Sequence, residues 1–237
     1  MNISALAPTH DSGHWYNRDG TRCTEIISKT TSFPRKPNLR DARKLGLLPG
    51  VTTICKIYPG NGLQNVSPEI LSAASDIGTR RHGIIEDFHL TGCMVADEGD
   101  IPFVKPYFEW FNKTVERVTL AESIAISLDH GYAGTMDLLC VLKDKRVAVV
   151  DLKNRKNLAT YDTDAMQLTA YRRAVGADTA ISVVLGTEKP EILVKEWVQA
   201  EDELAWRNFS LCLQLWKSAN SYYPESWKPN GEQNEPL

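Results

Sequence analysis

The chain has 237 residues, 42% of them apolar and 24% charged, with a net charge of −3 at neutral pH. This length buries a core for one large or two small domains, and the balance is that of a soluble globular protein, not of a disordered chain or a uniformly basic nucleic-acid binder. The five cysteines (Cys23, Cys55, Cys93, Cys140, Cys212) are scattered, odd in number and without a CxxC pair, which argues against a disulfide framework or a zinc ribbon and for reduced thiols.

The first residues lack a basic stretch followed by an apolar one, and no apolar run reaches membrane-spanning length, so a cytoplasmic protein without a membrane partner is expected. The charge is unevenly spread. Residues 1–45 carry eight Lys/Arg against four Asp/Glu, residues 140–156 six against two, and residues 190–237 four against eight. A basic front and an acidic end suit a protein that grips phosphate on one side; solvated faces give the same swings.

In chain order, Tyr16 and the run Cys23–Ile27 flank a polar turn at Asn17–Gly20, the pattern of a β-hairpin. A polar loop follows over 28–39, then a short helix at Leu39–Leu45 stopped by Gly46. Val51–Ile57 is apolar, β-branched and too short to decide between helix and strand. Ser67-Pro68-Glu69 reads as a helix start, with Ser as N-cap and Pro at the first position; its apolar pattern runs to Gly92. A second helix is expected over Phe103–Val118, with Tyr107, Phe108, Trp110 and Phe111 as its core stripe. After Glu122 the period becomes that of strands: Ser123–Leu128, Ala133–Leu142 and Arg146–Lys153, separated by turns. A helix at Asp162–Val175 closed by Gly176, strands at Thr179–Leu185 and Ile192–Val198, and a helix at Glu201–Ala219 complete the pattern. The expected division is an N-terminal extension over 1–65, one α/β core over 66–219 and a loose tail over 220–237.

Val149-Val150-Asp151-Leu152-Lys153 holds the first chemical signal. Alternation along a strand puts Asp151 and Lys153 on one face, with Cα atoms about 6.5–7 Å apart. An acid and an amine on an apolar strand make either a salt bridge at an exposed end or a site, because unpaired buried charge is costly. Asp137, alone before an apolar run on the preceding strand, converges with Asp151 if the two strands pair through Lys143–Lys145. Two neighbouring carboxylates repel unless a cation lies between them, and Mg²⁺ or Mn²⁺ suits hard oxygen donors. Gln167 and Tyr171, at i and i+4 on the next helix, share a face suited to a phosphate or a hydrated cation.

The ordered set Glu122, Gly134-Thr135-x-Asp137, Asp151-Leu152-Lys153 and Gln167-x-x-x-Tyr171 resembles the PD-(D/E)xK nuclease superfamily. Within it the chain is most similar to the RecB-type exonucleases, which include phage recombination exonucleases and the mitochondrial genome maintenance exonuclease. The likeness covers about residues 78–185; Leu48-Pro49-Gly50-Val51-Thr52-Thr53-Ile54 is a softer match to the leader of small phage exonucleases of that branch. The resemblance implies a restriction-endonuclease-like α/β fold, a central mixed sheet flanked by helices. It implies Asp137 and Asp151 as ligands of Mg²⁺ or Mn²⁺, helped by His82 and the Leu152 carbonyl, with Glu122 as a candidate for a second metal. Lys153 would orient the attacking water and stabilise charge on the phosphate, and Gln167 and Tyr171 would position substrate or metal. Relatives with an iron–sulfur cluster hold it through three downstream cysteines; only Cys212 lies downstream here, so no cluster is expected.

The implied activity is exonucleolytic cleavage of linear DNA in phage or bacterial replication, repair or recombination, alongside an annealing or single-strand-binding protein. The rivals are a structure-specific or restriction-like endonuclease, and a nucleic-acid-binding protein without catalysis. Arg80, Arg81, Arg155, Lys156 and Thr135 flank the motifs and are candidates for DNA contact. His82, Glu86 and His89 share a helical face, a pattern that suits a metal cluster by itself; Glu86 and His89 read as structural or supporting groups. Trp15, Tyr16 and Trp110 suit either base stacking or core packing.

Overall fold

The computed structural model describes residues 14–59 and 68–224, and of residues 68–77 the helical backbone only. The Ser67 cap and Gly60 lie outside the described residues, as do residues 1–13 and 225–237.

The chain opens with short strands β1 (Trp15–Tyr16) and β2 (Arg22–Cys23), an antiparallel hairpin as expected. The expected run to Ile27 breaks: β3 (Ile26–Ile27) pairs instead with β4 (Pro34–Arg35). Helix α1 (Leu39–Leu45) has the expected bounds. Asn38 accepts a hydrogen bond from the Asp41 amide, Asp41 accepts one from the Asn38 amide, and Gly46 ends the helix in the left-handed region at φ 65°. Strand β5 (Leu48–Pro49) joins the other edge of β1. The undecided segment is a short helix, α2 (Val51–Cys55), which buries Val51, Ile54 and Cys55.

The main body begins with α3 (Pro68–Thr91) and α4 (Ile101–Thr114). The helix expected to reach Val118 stops four residues early. Val115 turns extended and pairs with Leu142, starting strand β6 (Val115–Ser127). The reason is tertiary: the β-branched Val115 and Val118 find strand partners in β7 (Tyr132–Leu142), and a ladder outweighs a weak helical preference. Next come β8 (Val147–Arg155), α5 (Asp162–Val175), β9 (Thr179–Gly186), β10 (Ile192–Glu196) and α6 (Gln199–Ala219).

Five strands form one mixed sheet in the order β10-β9-β8-β7-β6. The β6-β7-β8 meander and the β9-β10 pair are antiparallel; β8 and β9 are parallel, joined through α5. Val149 of β8 packs with Met166, Leu168 and Tyr171 of α5 and Phe209 and Trp216 of α6 on one face. Val150 and Leu152 pack with Ile84 and Ile85 of α3 and Val104 and Tyr107 of α4 on the other. This is the α/β layering expected, with β8 apolar on both faces because helices cover both.

The N-terminal strands pack on this body. Trp15, Leu47, Val51 and Ile54 share a core with Met136, Met166 and Trp216. Tyr222 is also fully buried there, and its hydroxyl donates to the Leu47 carbonyl at 2.7 Å. Asn220 and Tyr222, assigned to the tail in the sequence analysis, pack against the body.

Candidate active site

The site forms where β7 and β8 part. They pair from Val141↔Val147 to Leu138↔Val150, and β8 then continues along β9 as far as Arg155↔Gly186. In the opening the Asp137 carboxylate accepts the Leu152 amide at 2.6 Å, so a side chain satisfies a donor the ladder leaves over. Glu122 lies inside β6, not at the start of a strand as expected, opposite Asp137 between the pairs Ala121↔Leu138 and Ser123↔Met136. Its φ of +45° is a left-handed conformation that costs a non-glycine residue on the order of 1–2 kcal/mol. His82 and Glu86, one turn apart on α3, face it, with His82 Nε2 3.3 Å from Glu122 Oε1 and 3.7 Å from Asp137 Oδ1.

Asp151 is fully buried. The Gln167 amide donates to its Oδ1 at 2.9 Å, while its Oδ2 lies 2.7 Å from Lys153 Nζ in an ion pair and accepts no aligned hydrogen bond. Lys153 Nζ also donates to Gln167 Oε1 at 3.2 Å, and Gln167 Nε2 reaches the Tyr171 hydroxyl at 3.3 Å. One amide side chain thus ties the acid, the amine and the phenol together. Gly134 makes room for this: a Cβ there would lie 2.6 Å from Tyr171 Cε1.

The charges are strongly perturbed. Burial, then the nearby Asp151 charge, pushes the Asp137 carboxyl up to about 7. Burial also raises Asp151. Burial alone would lower the Lys153 amine, but the Asp151 and Asp137 charges outweigh it and leave it above its ordinary value. His82 rises to about 9, chiefly through its hydrogen bond to Glu122, and Glu86 rises through burial and the Glu122 charge. Lys153 and His82 do not offset the burial and mutual repulsion that raise Asp137, Asp151 and Glu86, and a divalent cation is a natural further partner for such acids. The donor atoms fit it: ligand atoms of His82, Glu86 and Glu122 lie within 4.8 Å of one another, and Asp137 adjoins His82. Carboxylate oxygens and one imidazole nitrogen suit Mg²⁺ or Mn²⁺.

The structure brings together Asp137, Asp151, Lys153, Gln167, Tyr171, His82 and Glu122, and Leu152 contributes its amide to Asp137. Glu86, read as a supporting group, belongs among the potential ligands; its one-turn spacing from His82 was the available signal. Of the expected DNA contacts, Arg81 and Arg155 have their partners within the protein. Arg81 is only 4% exposed, ion-paired with Asp100, bonded to the Gly186 and Thr187 carbonyls and stacked on Phe103. Arg155 is held by both oxygens of Asp164, by the Ala159 carbonyl and by the Tyr161 ring. Both spend their guanidinium groups inside the protein. Arg80 and Lys156 stay exposed, though paired with Asp100 and Glu188. Thr135 is bonded through its amide and hydroxyl to Tyr16. Trp15 and Tyr16 are buried, which settles them as core, and Trp110 packs against the α3–α4 core. His89 is not in the site; it bonds the Tyr107 hydroxyl.

No family model and no curated protein matches this sequence. Among solved structures, the chain is similar to an alkaline exonuclease, LHK-Exo, from Laribacter hongkongensis, at 13% identity and a TM-score of 0.36, covering 64% of this chain and 88% of that one. The same protein in complex with dAMP gives 12% and 0.35 over the same shares. A protein designated SSO0001 gives 13% identity and a TM-score of 0.34, covering 74% of this chain and 85% of that one. At this level of likeness no functional statement follows from them.

Proposed function

We propose that the chain is a divalent-metal-dependent DNA nuclease of the PD-(D/E)xK type, acting as an exonuclease in replication, repair or recombination. The observation that carries this reading is the meeting of Asp137, Asp151 and Lys153 in the opening between β7 and β8, with His82, Glu86 and Glu122 on its far side. Asp137 and Asp151 would hold Mg²⁺ or Mn²⁺, with His82, Glu86, Glu122 and the Leu152 carbonyl as further donors. When bound, the ion supplies Lewis-acid polarisation of a phosphoryl oxygen and a lowered pKa for the attacking water.

The remaining work falls to the chain. Lys153 keeps its proton at neutral pH, because two carboxylates hold its amine above the ordinary value. It therefore acts as a fixed cation and hydrogen-bond donor to the phosphate, not as a base. Gln167 fixes that amine against Asp151 and is itself positioned by Tyr171. Helices on both faces of β8 exclude water from behind Asp151 and strengthen these interactions.

The test incubates the protein with end-labelled linear DNA and with closed circles, in Mg²⁺, Mn²⁺ or EDTA. Metal-dependent loss of linear DNA with circles intact is the expected result. Cleaved circles assign an endonuclease, and binding without cleavage in any metal overturns the enzyme reading.

A further inference from the structure

Away from the catalytic opening, the N-terminal layer carries two adjoining hollows. The larger, about 740 Å³, lies between the β3–β4 hairpin and α1 and is lined by Lys29, Arg35, Arg40 and Lys44 around Ile26, Ile27 and Leu45. The smaller, about 110 Å³, is lined by His14, Arg22 and Lys36. They meet along the segment from Arg35 to Asn38, whose residues line one or the other. Asp41 is the one acid on either lining, and both of its oxygens are taken by Arg35. Lys29, Lys36, Arg40 and Lys44 have no ion pair among the described residues. The field is felt locally: burial, then Arg22, Lys56 and Lys36, lowers the His14 imidazole pKa.

Side chains like these are usually dispersed or paired, since unbalanced like charges repel. Here they line two hollows along one short segment, a basic tract in which the larger hollow has an apolar, open floor, with Ile27 66% and Leu45 54% exposed. A compact anion needs one convergent nest; cations spread from residue 22 to residue 44 suit a linear polyanion. The tract is also linked to the site. From α1 the chain runs into β5, which pairs with β1, where the Tyr16 hydroxyl bonds Thr135, two residues before Asp137 on β7.

We propose that this tract is a second nucleic-acid-binding surface, which holds the phosphate backbone of DNA without reading sequence while the strand is processed at the catalytic opening. The inference rests on the nuclease reading for its role and on the tract's own charge for binding. Its apolar floor accepts sugar and base surface, and its cations accept phosphates.

The test uses the full chain carrying Lys153→Ala, so that DNA stays intact, and compares it with the same chain bearing Lys29→Ala, Arg40→Ala and Lys44→Ala. A control set removes three exposed cations elsewhere: Lys105→Ala, Lys113→Ala and Arg207→Ala. Fluorescence anisotropy with labelled 30-mer oligonucleotides is read against salt, and circular dichroism checks folding. Loss of three phosphate contacts should lower the slope of log K against log salt by about two to three and weaken binding at least about tenfold. The control set should change little. Equal slopes for the tract and control variants overturn the proposal, as does loss of binding to anionic lipid vesicles with DNA binding unchanged. If the chain with Lys153 intact cleaves nothing, yet the tract variant alone loses DNA binding, the nuclease reading falls and the tract assignment stands.

Discussion

Lys153 lies 2.7 Å from a buried carboxylate oxygen and within 3.2 Å of Gln167, so its position is set by two other side chains. Replacing it with Ala removes the amine to which the proposed function gives charge stabilisation at the phosphate, while leaving the acids in place. Cleavage should fall by roughly 10²–10³, the usual cost of one preorganised charge-stabilising donor. Titration calorimetry with Mn²⁺ should still show metal binding; undiminished cleavage would refute the role given to Lys153. A different residue sets the geometry around it. At Gly134 a methyl group meets the ring of a fully buried tyrosine at 2.6 Å, so Gly134→Ala has no cheap way to relax. Overpacking of this kind costs about 1–3 kcal/mol and should push Tyr171 off Gln167. Urea denaturation should show a lower midpoint at constant slope, with reduced cleavage; an unchanged midpoint means the ring moves freely.

At the scale of elements, the joint between α3 and α4 carries its own pH response. His89 Nε2 is 2.7 Å from the Tyr107 hydroxyl, with Phe88 and Phe111 packed beside its ring. Burial lowers its pKa from 6.5 to about 4, so it is neutral in the folded chain at neutral pH. The unfolded chain takes up this proton first, below pH 6.5. The stability that His89 contributes is therefore complete above pH 6.5 and is lost as pH falls from 6.5 to about 4. Asp137, raised to about 7, works in the opposite sense over much of that window, so the reading must be a difference. The gap in unfolding free energy between wild type and His89→Gln should narrow as pH drops from 7 to 4. A constant gap would mean that His89 is charged or solvated. The far end of α4 shows how elements compete: α4 gives way to β6 at Val115 because β7 offers a ladder partner, which no window of local sequence contains.

At the scale of the molecule, the two ends of the described chain close on each other. Trp15 stacks on Tyr222 at 5.6 Å and meets Trp216 at 6.0 Å, while Tyr222 bonds the Leu47 carbonyl. Tyr222→Ala should cost on the order of 3 kcal/mol, as deletion of a buried aromatic ring does. Far-UV and near-UV dichroism should still melt together, since N-terminal strands and main body share one core. A separate early transition of the N-terminal layer would contradict that. Local sequence determined a good deal. The bounds of α1 and α5 followed from residue pattern and terminal glycines, because these act over a few residues of backbone. The alternation that puts Asp151 and Lys153 on one face, and the one-turn spacings of Gln167 with Tyr171 and of His82 with Glu86, are equally local. Only the tertiary structure decided that β7 and β8 part beside Asp137, that Glu122 turns left-handed opposite it, and that Arg81 and Arg155 are consumed by Asp100 and Asp164. Those outcomes depend on register, desolvation and partners far along the chain, which spacing within an element does not encode.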